Sequence, residues 1–107
     1  MNITNIHNWG LDIHINKENP FIVAGPCSAE TEEQVLKTCI GIHKMASSPV
    51  SMLRAGIWKP RTRPNSFEGV GEIGLPWIKL AGRTTGLPVC IEVATAKHVE
   101  LALKYGI

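Results

Sequence analysis

The sequence has no long apolar segment and almost no charge imbalance. None of its apolar runs approaches the ~20 residues that a helix needs to span a bilayer, and residues 1–5 lack the basic and apolar regions of a signal peptide. Eleven Lys and Arg against nine Asp and Glu leave a net charge of +2, which gives no electrostatic reason to expect nucleic acid or an anionic membrane as a partner. We therefore expect a cytoplasmic protein that binds neither.

Cysteine is scarce, and no nucleotide-binding motif is present. The three cysteines, Cys27, Cys39 and Cys90, are odd in number and far apart, which excludes a simple disulfide framework and a CxxC zinc site. Cys39 at a helical apolar position and Cys90 within a predicted strand are interpreted as core residues. Neither GxGxxG nor a Walker motif follows the first predicted strand. The histidines also lack ligand spacing and are expected on the surface or in helix packing: His7, His14, His43 and His98.

What the chain does have is the composition of one small globular domain. Its 107 residues are 44% hydrophobic and 19% charged, which predicts a core. Leu11, Ile13 and Ile15 alternate with polar residues and predict a strand in an N-terminal extension, residues 1–19. The domain itself is predicted to be residues 20–107.

Three apolar strands alternate with three helices in this domain. The strands are predicted at residues 21–24, 50–53 and 89–91. A continuous apolar run such as residues 21–24 is typical of a strand that is covered on both faces. Strands that alternate with helices favour parallel pairing with right-handed crossovers, so the fold class is α/β.

The helix starts are predicted from capping residues. Thr31 and Gln34 have capping-box spacing at the start of the first helix, and Thr95 is predicted to cap the third. Pro76 leaves two possibilities for the second helix. It lies in the first turn of a helix that begins near Leu75, or it kinks a helix that begins near Val70.

A basic loop follows the second predicted strand. Residues 59–64 read Lys-Pro-Arg-Thr-Arg-Pro, so three permanent cations and a hydroxyl lie on a segment whose two prolines fix the backbone. Arginine binds anions in a bidentate manner and lysine supplies a compact charge, so the loop is suited to phosphate. The alternative, which is commoner for a bare cluster of charges, is a solvated loop without function.

Polar side chains lie at the ends of all three predicted parallel strands. They are Cys27, Arg54, Lys59 and Glu92. Open α/β sheets and (β/α)8 barrels build their sites at this edge, so we expect a site for anionic, phosphorylated substrates with the Cys27 thiolate as metal ligand or nucleophile. Two alternatives stay open: Cys27 is a buried strand-end residue, and Glu92 is a structural partner of Arg54.

The two segments that carry these residues resemble a known family. Residues 25–28 read Gly-Pro-Cys-Ser, and residues 53–71 run from Leu-Arg-Ala-Gly-Ile-Trp-Lys-Pro-Arg-Thr to Ser-Phe-Glu-Gly-Val-Gly. Together they resemble the beginning of DAHP synthase, in particular the type I-beta branch and its forms fused to a chorismate mutase domain. The resemblance extends over residues 21–107.

The resemblance implies an activity and a set of roles. Members of this family condense phosphoenolpyruvate with erythrose 4-phosphate on a divalent metal (Mn, Fe, Co or Zn), which is the first step of the shikimate pathway. Cys27 matches a metal ligand, Arg54 and Lys59 match catalytic residues that bind phosphoenolpyruvate, and Glu92 matches an acidic residue beside that pocket. The residues that match the erythrose phosphate site lie in the basic loop: Pro60, Arg61 and Thr62.

Two other functions are compatible with parts of the sequence. The related synthase that uses arabinose 5-phosphate has Ala-Asn-Arg-Ser in the place of Pro60-Arg61-Thr62, which favours erythrose phosphate here. A non-catalytic phosphate-binding or interaction module would keep the loop without the reaction. Ala55 stands where many relatives have glycine, which leaves open how closely a ligand approaches the backbone there.

The resemblance also implies that most of a barrel is missing. A (β/α)8 barrel has ~250 residues, and this chain supplies the first three βα units after a short extension strand, an incomplete barrel. One cysteine cannot complete a metal site, so we expect the chain alone to be inactive. Its unprotected strand edges predict a homo-oligomer, whether the chain is a piece of a longer enzyme or a short product that persists by association.

Overall fold

The structure is a computed structural model that describes residues 20–45, 50–59, 62 and 65–107. Its elements are β1 (Val23–Ala24), α1 (Glu32–His43), β2 (Met52–Ala55), a 3-10 turn (Gly71–Gly74), α2 (Leu75–Thr85), β3 (Val89–Ile91) and α3 (Ala96–Lys104). The predicted N-terminal extension and its strand lie outside the described residues.

The three strands form one parallel sheet in the order β1-β2-β3. Val23 is in register with Met52, and Leu53 is in register with Val89. The alternation of strands with helices therefore builds parallel βα units, which confirms the predicted α/β class. All three strands end at the same edge of the sheet.

Two strands differ from their predicted bounds. β2 lies two residues later than predicted, because Arg54 and Ala55 pair with Cys90 and Ile91 of β3. Arg54 is thus inside the strand rather than just beyond it. β1 begins at Val23, two residues later than predicted. It is an edge strand in which Val23 is 41% exposed, so the prediction that it is covered on both faces is wrong.

The helix starts follow the capping residues. The Thr31 hydroxyl accepts from the Gln34 N–H (3.1 Å), and the Gln34 side chain accepts from the Glu30 N–H (2.9 Å), so the predicted capping box is present with its second bond one residue earlier than usual. Thr95 caps α3 by accepting from the His98 N–H (3.1 Å), as predicted.

The start of α2 settles the question about Pro76. The helix begins at Leu75 with the proline in its first turn, after the 3-10 turn Gly71–Gly74. Pro76 needs no hydrogen-bond donor there. The first of the two predicted possibilities is therefore confirmed.

The core lies between the sheet and helices α1 and α2. Its fully buried members include Leu53, Ile57, Leu75, Ile78, Val35 and Cys39. Cys39 is fully buried, which confirms its interpretation as a small core residue, and this burial raises the pKa of its thiol. The described residues contain no helix long and apolar enough to cross a membrane.

Helix α3 is attached mainly through its ends. Ala102 is its one buried residue. At its C-terminal end the Lys79 ammonium donates to the Gly106 carbonyl (2.9 Å), and the Tyr105 hydroxyl donates to the Glu72 carboxylate (3.3 Å). Burial, followed by the charge of Glu72 and this hydrogen bond, raises the pKa of the Tyr105 hydroxyl.

Candidate active site

Four predicted site residues meet at the carboxyl edge of the sheet. Arg54 Nη2 and Lys59 Nζ lie 2.5 Å and 3.4 Å from the same oxygen, Oε1 of Glu92. Lys59 Nζ also lies 3.7 Å from Cys27 Sγ. Residues that follow three different strands are therefore brought together, as the strand-end pattern predicted.

Lys59 is buried although it is charged. It is 8% exposed, and an ammonium in such a position needs a nearby negative charge to offset its loss of water. Glu92, whose side chain is 53% exposed, supplies that charge. The loop is fixed beneath it, since the Lys59 N–H donates to the Glu68 carbonyl (2.7 Å) and the Gly71 N–H donates to the Ile57 carbonyl (2.8 Å).

Gly56 makes room for the Lys59 side chain. A Cβ atom at this position would overlap the Cys27 carbonyl oxygen and the Lys59 ammonium. Ala55, by contrast, is a buried residue of β2. The sequence analysis had not singled out Gly56, where the Lys59 side chain lies against the backbone. How closely a ligand approaches Ala55 stays untested.

Glu92 is a structural partner of Arg54 and also of Lys59. One carboxylate oxygen accepts from both cations, so the site without substrate has its two positive charges partly balanced. Arg54 also lies near the Cys90 thiol, whose pKa is raised by burial and lowered less strongly by the guanidinium. Cys90 is half-buried in β3, which agrees with its predicted place in a strand but not with its interpretation as a core residue.

Cys27 is exposed rather than buried, so the alternative of a buried strand-end residue is wrong. It lies in the β1–α1 loop, which is joined to β2 by a hydrogen bond from the Ala29 N–H to the Gly56 carbonyl (2.8 Å). A divalent metal needs about four ligands. No group of three or more His, Cys, Asp and Glu side chains that could hold a metal exists among the described residues. The described part of the chain therefore does not fit a complete metal site.

The structure describes only one of the three residues that the resemblance assigns to erythrose 4-phosphate. Thr62 is described and exposed. Pro60 and Arg61 lie outside the described residues, so the structure does not test their predicted role.

Comparison with known proteins identifies the family of this chain. The family model described as "DAHP synthetase I family" matches residues 2–106. The chain belongs to this family. Membership confirms the resemblance that residues 25–28 and 53–71 predicted.

Two relatives show how much of the family's length the chain covers. It is 40% identical over 95 residues to phospho-2-dehydro-3-deoxyheptonate aldolase of Thermotoga maritima, an alignment that covers 89% of this chain and 27% of the relative. A crystal structure titled DAHP synthase, also from Thermotoga maritima, matches with a TM-score of 0.67 and 32% identity over 79% of this chain and 23% of that one. The chain thus spans about a quarter of the length of these DAHP synthase relatives.

One contact in this DAHP synthetase I chain was missed by sequence reasoning. The rings of Trp58 and His98 stack at a centroid distance of 4.0 Å and an interplanar angle of 4°. His98 was expected on the surface or in helix packing, and it is half-buried against the β2 loop. No local sequence pattern indicated that these two rings meet.

Proposed function

We propose that this chain supplies the first three βα units of a (β/α)8 barrel in a metal-dependent DAHP synthase. That enzyme condenses phosphoenolpyruvate with erythrose 4-phosphate to DAHP, the first step of the shikimate pathway. The observation that supports the proposal best is the buried Lys59 ammonium, which contacts Cys27 and shares Glu92 with Arg54.

The two cations are suited to phosphoenolpyruvate. This substrate has a carboxylate and a phosphate, and it needs fixed positive charges that hold both. Arg54 offers a planar fork and Lys59 a point charge, on a strand and a loop that the sheet and the backbone hydrogen bonds fix. Because the Glu92 carboxylate accepts from both cations, the anionic groups of a substrate would compete with it for them.

The second substrate is assigned through the family resemblance. Arg61 and Thr62, with Pro60 between Lys59 and Arg61, would hold the phosphate and hydroxyl end of erythrose 4-phosphate. The exposed Thr62 is accessible for that role. Two phosphorylated substrates repel each other, so separate cations for each would lower the cost of bringing them together.

The metal is part of the proposal. Cys27 would supply one thiolate ligand to Mn, Fe, Co or Zn, and residues outside these 107 would supply the rest. A bound divalent metal polarises a carbonyl oxygen as a Lewis acid. We therefore expect the chain alone to bind phosphoenolpyruvate without turnover. The cytoplasmic location, self-association and fusion to a chorismate mutase domain stay predictions from the sequence.

Calorimetric titration of the chain with phosphoenolpyruvate tests the proposal. We expect binding that Lys59→Met abolishes and that Lys37→Met leaves unchanged, since Lys37 is an exposed helix residue paired with Glu33. A folded chain that does not bind phosphoenolpyruvate, or a Lys59→Met variant that binds it equally well, would overturn the assignment.

The non-catalytic module is favoured by one observation, the lack of a complete metal group among the described residues. The two functions differ once the chain is extended by the remaining units of the family. Turnover of both substrates then supports the synthase. Binding of phosphoenolpyruvate without turnover, in an extended protein loaded with metal, supports the module.

A further inference from the structure

The Trp58–His98 stack joins the two segments that hold Lys59 and Glu92. Trp58 directly precedes Lys59 in the β2 loop, and His98 lies in the first turn of α3, after the turn that holds Glu92. The rings are nearly parallel, 4° apart, with centroids 4.0 Å apart. Stacked aromatic pairs of this kind are attractive and prefer a defined geometry.

On the α3 side, the imidazole also fixes the turn. His98 Nδ1 accepts from the Ala94 N–H (3.0 Å), and its backbone N–H donates to Thr95 Oγ1 (3.1 Å). The ring is therefore bonded to a residue only two positions after Glu92. Residues 92–95 are all exposed, so burial does not hold this turn in place.

On the β2 side, Lys59 is already held in place. The Lys59 N–H bonds to the Glu68 carbonyl (2.7 Å), and Lys59 itself is buried. The stack thus connects a fixed loop to an exposed turn.

We propose that Trp58 and His98 form a positioning pair that holds the Glu92 carboxylate against Lys59 and Arg54. His98 acts through Glu92 and does not touch the substrate. By keeping Glu92 on the cations, the stack sets the affinity of the site for anions. The identification of the anion as phosphoenolpyruvate rests on the proposed function. The positioning of Glu92 by the stack does not depend on it.

The first test needs no substrate. The coupling free energy between Lys59 and Glu92 is measured by urea unfolding of Lys59→Met, Glu92→Gln and the double variant, in the wild-type background and in three His98 backgrounds. We expect the coupling to be lost with His98→Ala and with His98→Asn, which keeps a side-chain acceptor without a ring. We expect it to be reduced but measurable with His98→Phe, which keeps the stack and loses the bond to the Ala94 N–H. Equal coupling in all four backgrounds would overturn the inference.

The second test is anion binding, measured by calorimetry with phosphoenolpyruvate and with inorganic phosphate. His98→Ala should raise the affinity, by less than Glu92→Gln does, and should have no effect in a chain that already contains Glu92→Gln. His98→Phe should raise the affinity by less than His98→Ala does, because it keeps the stack. The exposed His43→Ala should not change the affinity. A structural role alone would lower the affinity or add to the effect of Glu92→Gln, and either result would refute the proposal.

The two proposals can fail separately. If neither anion binds the wild-type chain, the proposed function is wrong, and the coupling measurement still decides whether the stack positions Glu92. If phosphoenolpyruvate binds and the coupling does not depend on His98, the proposed function stands and the positioning role is rejected.

Discussion

Replacing Glu92 with Gln should destabilise the fold and strengthen anion binding at the same time. The carboxylate lies 3.4 Å from the Lys59 ammonium. At this separation two unit charges attract by ~1 kcal/mol in bulk water and by ~5 kcal/mol at an effective dielectric constant of ~20. Because half of Glu92 is exposed and Lys59 is buried, we expect a net loss of about 1–2 kcal/mol in the free energy of unfolding.

The same removal frees both cations for a substrate anion. If the ~1–2 kcal/mol that Glu92 contributes no longer opposes binding, the affinity for phosphoenolpyruvate or phosphate should rise by about 5- to 30-fold. Urea unfolding and calorimetry measure the two effects. Both should shrink between low and high salt, since ions screen the exposed side of the pair.

Glu100→Gln is the matched control. Glu100 is an exposed residue of α3 that pairs with Lys97 at 3.5 Å, so its replacement should change stability by less than ~0.5 kcal/mol and leave anion binding unaltered. An unchanged stability in Glu92→Gln would refute the reasoning about the buried ammonium. A fall in phosphoenolpyruvate affinity would instead show that Glu92 contacts the substrate directly.

Three further predictions concern the rest of the fold. Gly56→Ala should lower the unfolding free energy by about 1–3 kcal/mol through overpacking, and it should abolish phosphoenolpyruvate binding. Gly41→Ala adds a Cβ that meets no neighbour within 4 Å, so it should stabilise α1 by about 0.5–1 kcal/mol. Urea unfolding measures both changes. Thr31→Ala should cost about 1 kcal/mol by removing the N-cap, with loss of helical circular dichroism at a lower urea concentration. Burial raises the pKa of the Cys39 and Cys90 thiols above the ordinary 9.0, so the native state keeps protons that the unfolded chain releases. The unfolding free energy should fall as pH rises above about 9, and by less in Cys39→Ala; a pH-independent urea midpoint would contradict this.

The parts of the fold that were predictable are those where side-chain pattern and backbone pairing coincide. β3 has its predicted bounds because three apolar residues lie between Pro88 and the charged Glu92. β2 was placed too early because its apolar run stops at Leu53, while pairing with β3 continues through the charged Arg54. Hydropathy alone does not report backbone hydrogen bonds to a neighbouring strand.

The sequence was sufficient to predict which residues meet in the site. Parallel strands end at one edge, and this rule alone places Cys27, Arg54 and Glu92 together. The contact between Trp58 and His98 depends on how α3 is inclined to the sheet, which no local pattern encodes. The pairing of Glu92 with two cations likewise depends on the side-chain conformation of the buried Lys59, which the sequence does not show.

The place of Gly56 beneath the Lys59 ammonium has a consequence for how this sequence can change over generations. Nineteen of the twenty amino acids have a Cβ atom, and each of them would put it where the Cys27 carbonyl and the lysine head already lie. No stepwise substitution therefore leads away from glycine while the site is kept. A lineage that retains this site must therefore retain glycine at position 56.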